Sequence, residues 1–301
     1  MRRPAVRRPA LDERRLGLLL CAPAILAMLL VTGYPVLYAV WLSLHRYDLR
    51  FPAEHAFVGL ANYASVLTSE VWWRALTNTL LIMTGSVAIE LLLGFALALV
   101  MHRTLFGRTA VRAATLVPYA MITVVAALAW RFAFDPTTGF VDGLLRLDVS
   151  WLAERWSAFV VIIAAEVWKT TPFVALLLLA GLTLVPPDLL RAARVDGASA
   201  WQRLLRITLP LMKPAILVAL LFRTLDAFRV FDSVFVLTRG AQDTESVSLL
   251  AYETLIARLN LGLGAAVAVL IFLATVAIAL IYLRAFRPGL LGRDAGREAD
   301  P

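Results

Sequence analysis

Residues 191–210 read RAARVDGASAWQRLLRITLP, a polar, arginine-studded stretch set between two apolar segments of membrane length. The pattern predicts two short helices here. The first opens after Pro186-Pro187 with Asp188 in its first turn, where a carboxylate complements the helix dipole, and closes at Asp196-Gly197, where glycine can adopt the left-handed cap. The second starts at Ser199 with Gln202 three residues on, a capping box. Trp201, Leu204, Leu205 and Thr208 recur at helical spacing, while Gln202, Arg203 and Arg206 face elsewhere. Such a bent helix pair, joined to membrane segments on both sides, is shaped to press into the cleft of a partner.

Composition places the rest of the chain in a bilayer. Hydrophobic residues make up 61% of 301, with a mean hydropathy of +0.80, far above a soluble domain. Six segments are long enough to cross: Leu16–Trp41, Leu76–Met101, Ala113–Phe134, Ala158–Leu184, Ala215–Leu237 and Leu263–Tyr282. The expected fold class is therefore an all-α integral membrane protein with six transmembrane helices. A basic tail (1–15) precedes the six-helix domain (16–286), which carries the loop at about 186–211, and a second tail (287–301) follows.

Arginine distribution predicts the orientation, because Lys and Arg gather on the cytoplasmic side. The two tails and loops 102–112 and 185–214 carry 18 of the 29 cations, against 7 in the opposite loops. Both termini and the 191–210 loop are thus expected in the cytoplasm. The net charge of +8 reads as a topology signal, and no basic groove with interleaved aromatics suggests nucleic acid. The first apolar run is too long for a signal peptide, and Asp12 and Glu13 are atypical of one, so a retained anchor is expected. Cys21, the single cysteine, lacks the small residue expected before a lipoprotein cysteine and reads as a buried, inert thiol.

The loop resembles the Glu-Ala-Ala coupling loop of permease subunits in ATP-driven, binding-protein-dependent importers. Ala192, Ala193, Asp196, Gly197, Ala198, Ile207, Leu209 and Pro210 carry the match, and Arg191 stands where that family usually has Glu. Further likeness to sugar-importer permeases lies in Gly59-Leu60-Ala61-Asn62-Tyr63, Asn78-Thr79, Leu116-Val117-Pro118-Tyr119, Val167 to Phe173, and Phe228 to Asp232. One departure is Arg239-Gly240-Ala241, where such permeases often carry a Gly-Gly-Pro run. The chain is similar to the maltose-importer large-permease group of type I ABC importers, with overall likeness to its trehalose importers. That resemblance implies a multi-pass plasma-membrane subunit carrying a disaccharide such as trehalose or maltose. It also implies a paralogous second permease, two ATP-binding subunits that hold ATP and Mg, and an extracytoplasmic sugar-binding protein. The ATPase-coupling residues would be Arg191, Ala192, Ala193, Asp196, Gly197, Ala198, Trp201, Arg203, Leu209 and Pro210.

The chain offers no enzymatic constellation and no cofactor motif of its own. Neither lysine, Lys169 nor Lys213, follows a glycine as a phosphate-cradling loop requires. His45, His55 and His102 are too dispersed in sequence for metal-ligand spacing and read as interfacial. No span interior supplies a histidine for an intramembrane serine protease.

Eight ionisable residues lie within the expected spans: Glu90, Arg131, Glu166, Lys169, Arg223, Asp226, Arg229 and Asp232. Each costs at least about 2.5 kcal/mol facing lipid at the bilayer centre, so each should face a pathway or another charge. Along span five the signs alternate every third residue. A step of three turns a helix by about 300°, so neighbours pair while the ladder drifts and cannot all line one pore. Internal pairing and a polar cavity wall are both open readings. In the second, Asn78, Tyr119, Glu166, Trp168, Lys169, Thr170, Thr171, Arg223, Asp226, Arg229 and Asp232 form the substrate path, by hydrogen bonding and aromatic stacking. Arg223 with Asp226 favours the structural pair; Glu166, Lys169 and Thr170, beside Trp168, favour the sugar-facing role. Pro172 is expected either to loosen span four or simply to kink it. The competing reading is a transporter driven by an ion gradient, with the carboxylates as proton relays; it leaves the 191–210 loop without a purpose.

Overall fold

A computed structural model describes residues 13–103, 107–145 and 149–294. Apolar runs free of disruptive proline form long, unbroken helices, because in hydrocarbon every backbone polar group must be satisfied within its own segment. Among the described residues five helices are long and apolar enough to cross a membrane: Leu20–Ser43, Glu70–Arg103, Arg155–Thr183, Ala200–Phe228 and Leu261–Ala285.

In chain order, α1 (Glu13–Met28) passes through a π turn into α2 (Tyr34–Ser43). A two-residue antiparallel ribbon, His45–Arg46 with Ala56–Phe57, and α3 (Ala61–Leu67) lead to α4 (Glu70–Arg103). Then come α5 (Arg108–Ala120), α6 (Thr123–Ala133), α7 (Val141–Leu145) and α8 (Arg155–Thr183). The loop supplies α9 (Pro187–Val195) and α10 (Ala200–Arg203), followed by α11 (Leu209–Phe228). The chain ends with α12 (Asp232–Leu237), α13 (Val247–Tyr252) and α14 (Leu261–Asp294).

Three expectations about the spans are corrected. Span three is two helices meeting at 85°, with Met121 and Ile122 extended between them. Pro118, which has no N–H, sits in the last turn of α5 and helps end it. Span five stops at Phe228 rather than Leu237, and Arg229 to Phe231 break the chain before α12. Pro172, by contrast, leaves α8 continuous, its neighbours Thr170 and Thr171 bonding back to the Glu166 and Val167 carbonyls at 2.6 Å. The last helix runs on to Asp294, into the expected 287–301 tail. Of the two tails, residues 1–12 and 295–301 lie outside the described residues. Cys21 is exposed on the surface of α1, where apolar lipid rather than protein suits a thiol, so the buried reading was wrong in its location.

Helices α4 and α8 form the central pair, and α11 packs across both. Small residues allow that approach. A Cβ at Gly181 would sit 2.4 Å from the Ala215 Cβ, where α8 crosses α11. One at Gly94 would sit 2.9 Å from the Val174 side chain, where α4 crosses α8. Gly181→Leu is therefore expected to cost about 1–3 kcal/mol by overpacking. A clear fall in the melting temperature of the purified protein should follow. Gly17→Leu, at a position with nothing within 4 Å, should leave it unchanged.

Candidate functional site

The loop of 191–210 has the predicted caps. Gly197 takes φ +80°, the Ser199 hydroxyl accepts from the Gln202 amide at 3.2 Å, and the Gln202 side chain accepts from the Ser199 amide at 2.7 Å. The Ala198 amide reaches back to the Ala193 carbonyl at 2.9 Å and completes the turn. The second helix, however, is not a separate piece. A π turn at Leu204–Thr208 carries α10 directly into α11, so Leu209 and Pro210 begin a span that reaches Phe228. The proline ring displaces the carbonyl four residues earlier, and the wider turn accommodates it.

Arg191 pairs with Asp188 across one turn, both side chains exposed. Arg203 points inward instead and donates to the Ala198 carbonyl, bracing the bend. Large apolar side chains are also exposed there: Val195 is 88% exposed and Trp201 65%, and Leu189, Leu205 and Leu211 are exposed as well. Ala192, Ala193 and Asp196 form the last turn of α9 and its cap.

At the other end of α11 lies a cavity of about 380 Å³, lined by Tyr119, Thr123, Glu166, Lys169, Thr170, Asp226, Arg229, Val230, Phe231 and Asp232. That volume falls within the roughly 300–1,000 Å³ of small-molecule sites. The helix break makes the site. Were α11 to continue to Leu237, Asp226, Arg229 and Asp232 would wind around a cylinder; because it stops at Phe228, all three face one space. The break lets three members of the charge ladder share one cavity while Arg223 stays out of it, so the ladder as a whole does not line a single pore.

Arg223 is 2% exposed and sits behind the lining, bonded to Glu166 and Asp226. Its Nε donates to Glu90 Oε2, and NH2 donates to Glu90 Oε1 and Glu166 Oε2, both at 2.9 Å. NH1 donates to Asp226 Oδ2 at 2.7 Å. Ser233 of α12 donates to the remaining oxygen of Glu166, and the Thr170 hydroxyl is shared between Glu90 Oε1 and the Glu166 carbonyl, each at 2.6 Å. Four elements, α4, α8, α11 and α12, thus join one network centred on the Arg223 guanidinium. A lone buried cation or carboxylate would be prohibitive; the network satisfies each member.

The expected Arg223–Asp226 pair forms, and Glu166, Lys169 and Thr170 line the cavity, but the two carboxylates differ in what they offer it. Glu166 has both oxygens engaged by protein and acts as a strut, whereas the Asp226 side chain is 72% exposed to the cavity. Glu90 and Ser233, outside the expected path, are central to it. Thr123, Val230 and Phe231 also line the cavity and were not anticipated as path residues. Tyr119 is present, but its ring stacks on Phe173 at 5.3 Å and carries the Lys169 ammonium 5.5 Å from its centroid. Trp168 turns toward Trp130, 6.1 Å away, and Thr171 is spent on its own helix.

Asn78 belongs elsewhere. It is 2% exposed and donates to the Asp243 and Glu245 carbonyls at 2.8 and 2.9 Å, pinning the 238–246 loop to α4. Burial pushes the Glu245 carboxyl there up to about 7, with the Glu253 carboxylate adding to the rise. The distant-looking histidines do meet: His45 and His55 stack at 5.3 Å beside Trp41. Among the described residues no group of three His, Cys, Asp or Glu is placed to hold a metal.

Residues 90–291 match the family described as binding-protein-dependent transport system inner membrane component. The chain is 54% identical over 288 residues to the trehalose transport system permease protein SugA of Mycobacterium tuberculosis, covering 95% of this chain and 93% of that one. It is 41% identical to the trehalose/maltose transport system permease protein MalF of Thermococcus litoralis, over 91% and 95% of the two chains. Among solved structures, a bacterial alginate ABC transporter in complex with a pentasaccharide-bound periplasmic protein superposes with a TM-score of 0.77. That match has 24% identity and covers 92% of this chain and 95% of the other, a likeness of fold. With a capped loop continuous with a membrane helix, a polar cavity at that helix's far end, and these matches along most of its length, the chain belongs to the inner membrane components of binding-protein-dependent transport systems, as an integral membrane permease of the type I ABC importer fold.

Proposed function

We propose that this chain forms half the pore of an ATP-driven importer that carries a disaccharide of the trehalose or maltose class into the cytoplasm. The observation that carries this reading is the cavity at the end of α11: Asp226, Asp232, Lys169 and Arg229 offer acceptors and donors to hydroxyls, and Phe231 offers an apolar ring. The names of the two relatives support the sugar class.

A single helical path, α10 through α11, links the exposed apolar face around Trp201 to the cavity at Asp226. Apolar patches of that kind mark interaction sites. The occupant is an ATP-binding subunit, which holds ATP and Mg, while this chain supplies no cofactor and catalyses no reaction. Closure of two such subunits would move this loop and that of a paralogous second permease, re-aiming the cavity from one side of the membrane to the other. An extracytoplasmic binding protein delivers the sugar. The arginine bias of the loops supports cytoplasmic termini.

The test is uptake of labelled trehalose and maltose by vesicles containing the whole complex. Uptake is expected to require both internal-side ATP and the binding protein. Uptake sustained by a proton or sodium gradient alone would reject the importer reading.

A further inference from the structure

Beyond the cavity, on the side away from the coupling loop, lies a feature of which the sugar path above uses only Phe231. Phe231, at the cavity wall, stacks on Phe235 one turn along α12, with ring centroids 5.3 Å apart and planes 17° apart. Tyr252 of α13 closes the cluster, 5.2 Å from Phe231 and 5.5 Å from Phe235, and is 38% exposed. The Arg239 guanidinium lies over the Phe235 ring, 5.6 Å from its centroid, with the residue itself exposed. Rings and cation form one continuous row from solvent to the cavity.

The backbone at Arg239 is unusual. It holds φ +51°, next to Gly240 at φ +76°, and its amide donates to the Val234 carbonyl at 2.9 Å to end α12. Left-handed backbone is the natural place for glycine and is disfavoured for a side chain with a Cβ. Here the left-handed cap that ends α12 carries a long cationic side chain, which lies over an aromatic face.

We propose that Arg239 and the Phe231–Phe235–Tyr252 cluster form a second sugar-binding station, which takes a neutral pyranose ring at the mouth of the cavity before it passes to Asp226 and Asp232. The C–H face of a pyranose packs on aromatic rings, and the planar guanidinium donates to its hydroxyls. The station rests on the disaccharide reading above.

Arg239→Gly tests it cleanly, because glycine relieves the left-handed backbone and should keep or raise the melting temperature. In the reconstituted complex, the maximal rate of trehalose uptake at saturating sugar-loaded binding protein is expected to fall about tenfold, the change that losing one good polar contact brings. The half-saturating concentration of loaded binding protein and the ATPase activity it stimulates should stay within about twofold, because the station holds sugar and does not dock the binding protein. Arg239→Lys should recover part of the rate, and Tyr252→Leu should lower it as Arg239→Gly does. Unchanged uptake by a stable Arg239→Gly complex overturns the station while leaving the disaccharide reading intact. A shifted half-saturation with an unchanged maximum also overturns it, since Arg239 would then be docking the binding protein. A wild-type complex that moves neither trehalose nor maltose sinks the functional reading and the station together.

Discussion

Arg223→Met is expected to prevent assembly of a stable permease. The guanidinium neutralises Glu90, which is 0% exposed, and Glu166, at 7%, and removing it leaves both carboxylates buried without a cation. Breaking a buried pair by deleting one partner costs about 3–5 kcal/mol, a large part of the stability of a typical domain. The yield of folded complex after detergent extraction measures it. Adding Glu90→Gln and Glu166→Gln to Arg223→Met should recover much of that yield, because neutral amides replace the stranded charges. Asp226 is the contrast. Its side chain is largely exposed to the cavity, so Asp226→Asn should assemble normally and lose transport. Exchanging Arg223 and Asp226 should not rescue either function, because the swap places a third carboxylate against Glu90 and Glu166. A well-assembled Arg223→Met complex would show that the network is dispensable to the bundle.

The second large effect is expected at the loop. Gly197→Val should reduce ATP-dependent uptake at least tenfold, while the complex is made at normal levels and ATP hydrolysis continues without transport. A Cβ there would meet nothing within 4 Å, so the defect comes from the backbone alone. Gly197 sits at φ +80°, and the left-handed conformation costs an L-residue about 1–2 kcal/mol, most for a β-branched one. Relief requires the turn between α9 and α10 to change, which moves Val195 and Trp201, the two most exposed apolar residues of the loop, out of register. Gly197→Asn, which tolerates left-handed backbone, should keep most of the activity. Normal coupled uptake by the valine variant would remove the loop from the coupling mechanism.

Local signals carried the loop and the spans. Pro186-Pro187, Asp196-Gly197 and the Ser199/Gln202 pair are short-range devices, each acting within one turn, and each lies where the sequence placed it. Hydropathy located the membrane segments because a bilayer demands a minimum apolar length regardless of neighbours. The same rule is blind to direction, so it read Ala113–Phe134 as one span when the backbone turns by 85° at Met121-Ile122.

The site divides along the same line. That eight ionisable residues inside apolar segments must face each other or a pathway follows from the cost of charge in hydrocarbon, and the sequence alone determined it. Which of them pair and which stay open was decided by tertiary structure. Glu90 lies 133 residues from Arg223 and meets it only because α4, α8 and α11 pack against one another at small residues. Asp226, Arg229 and Asp232 share a cavity only because α11 ends at Phe228, an interruption that no Pro or Gly between them announces. Composition dictates that buried charge be matched; three-dimensional packing alone selects the match.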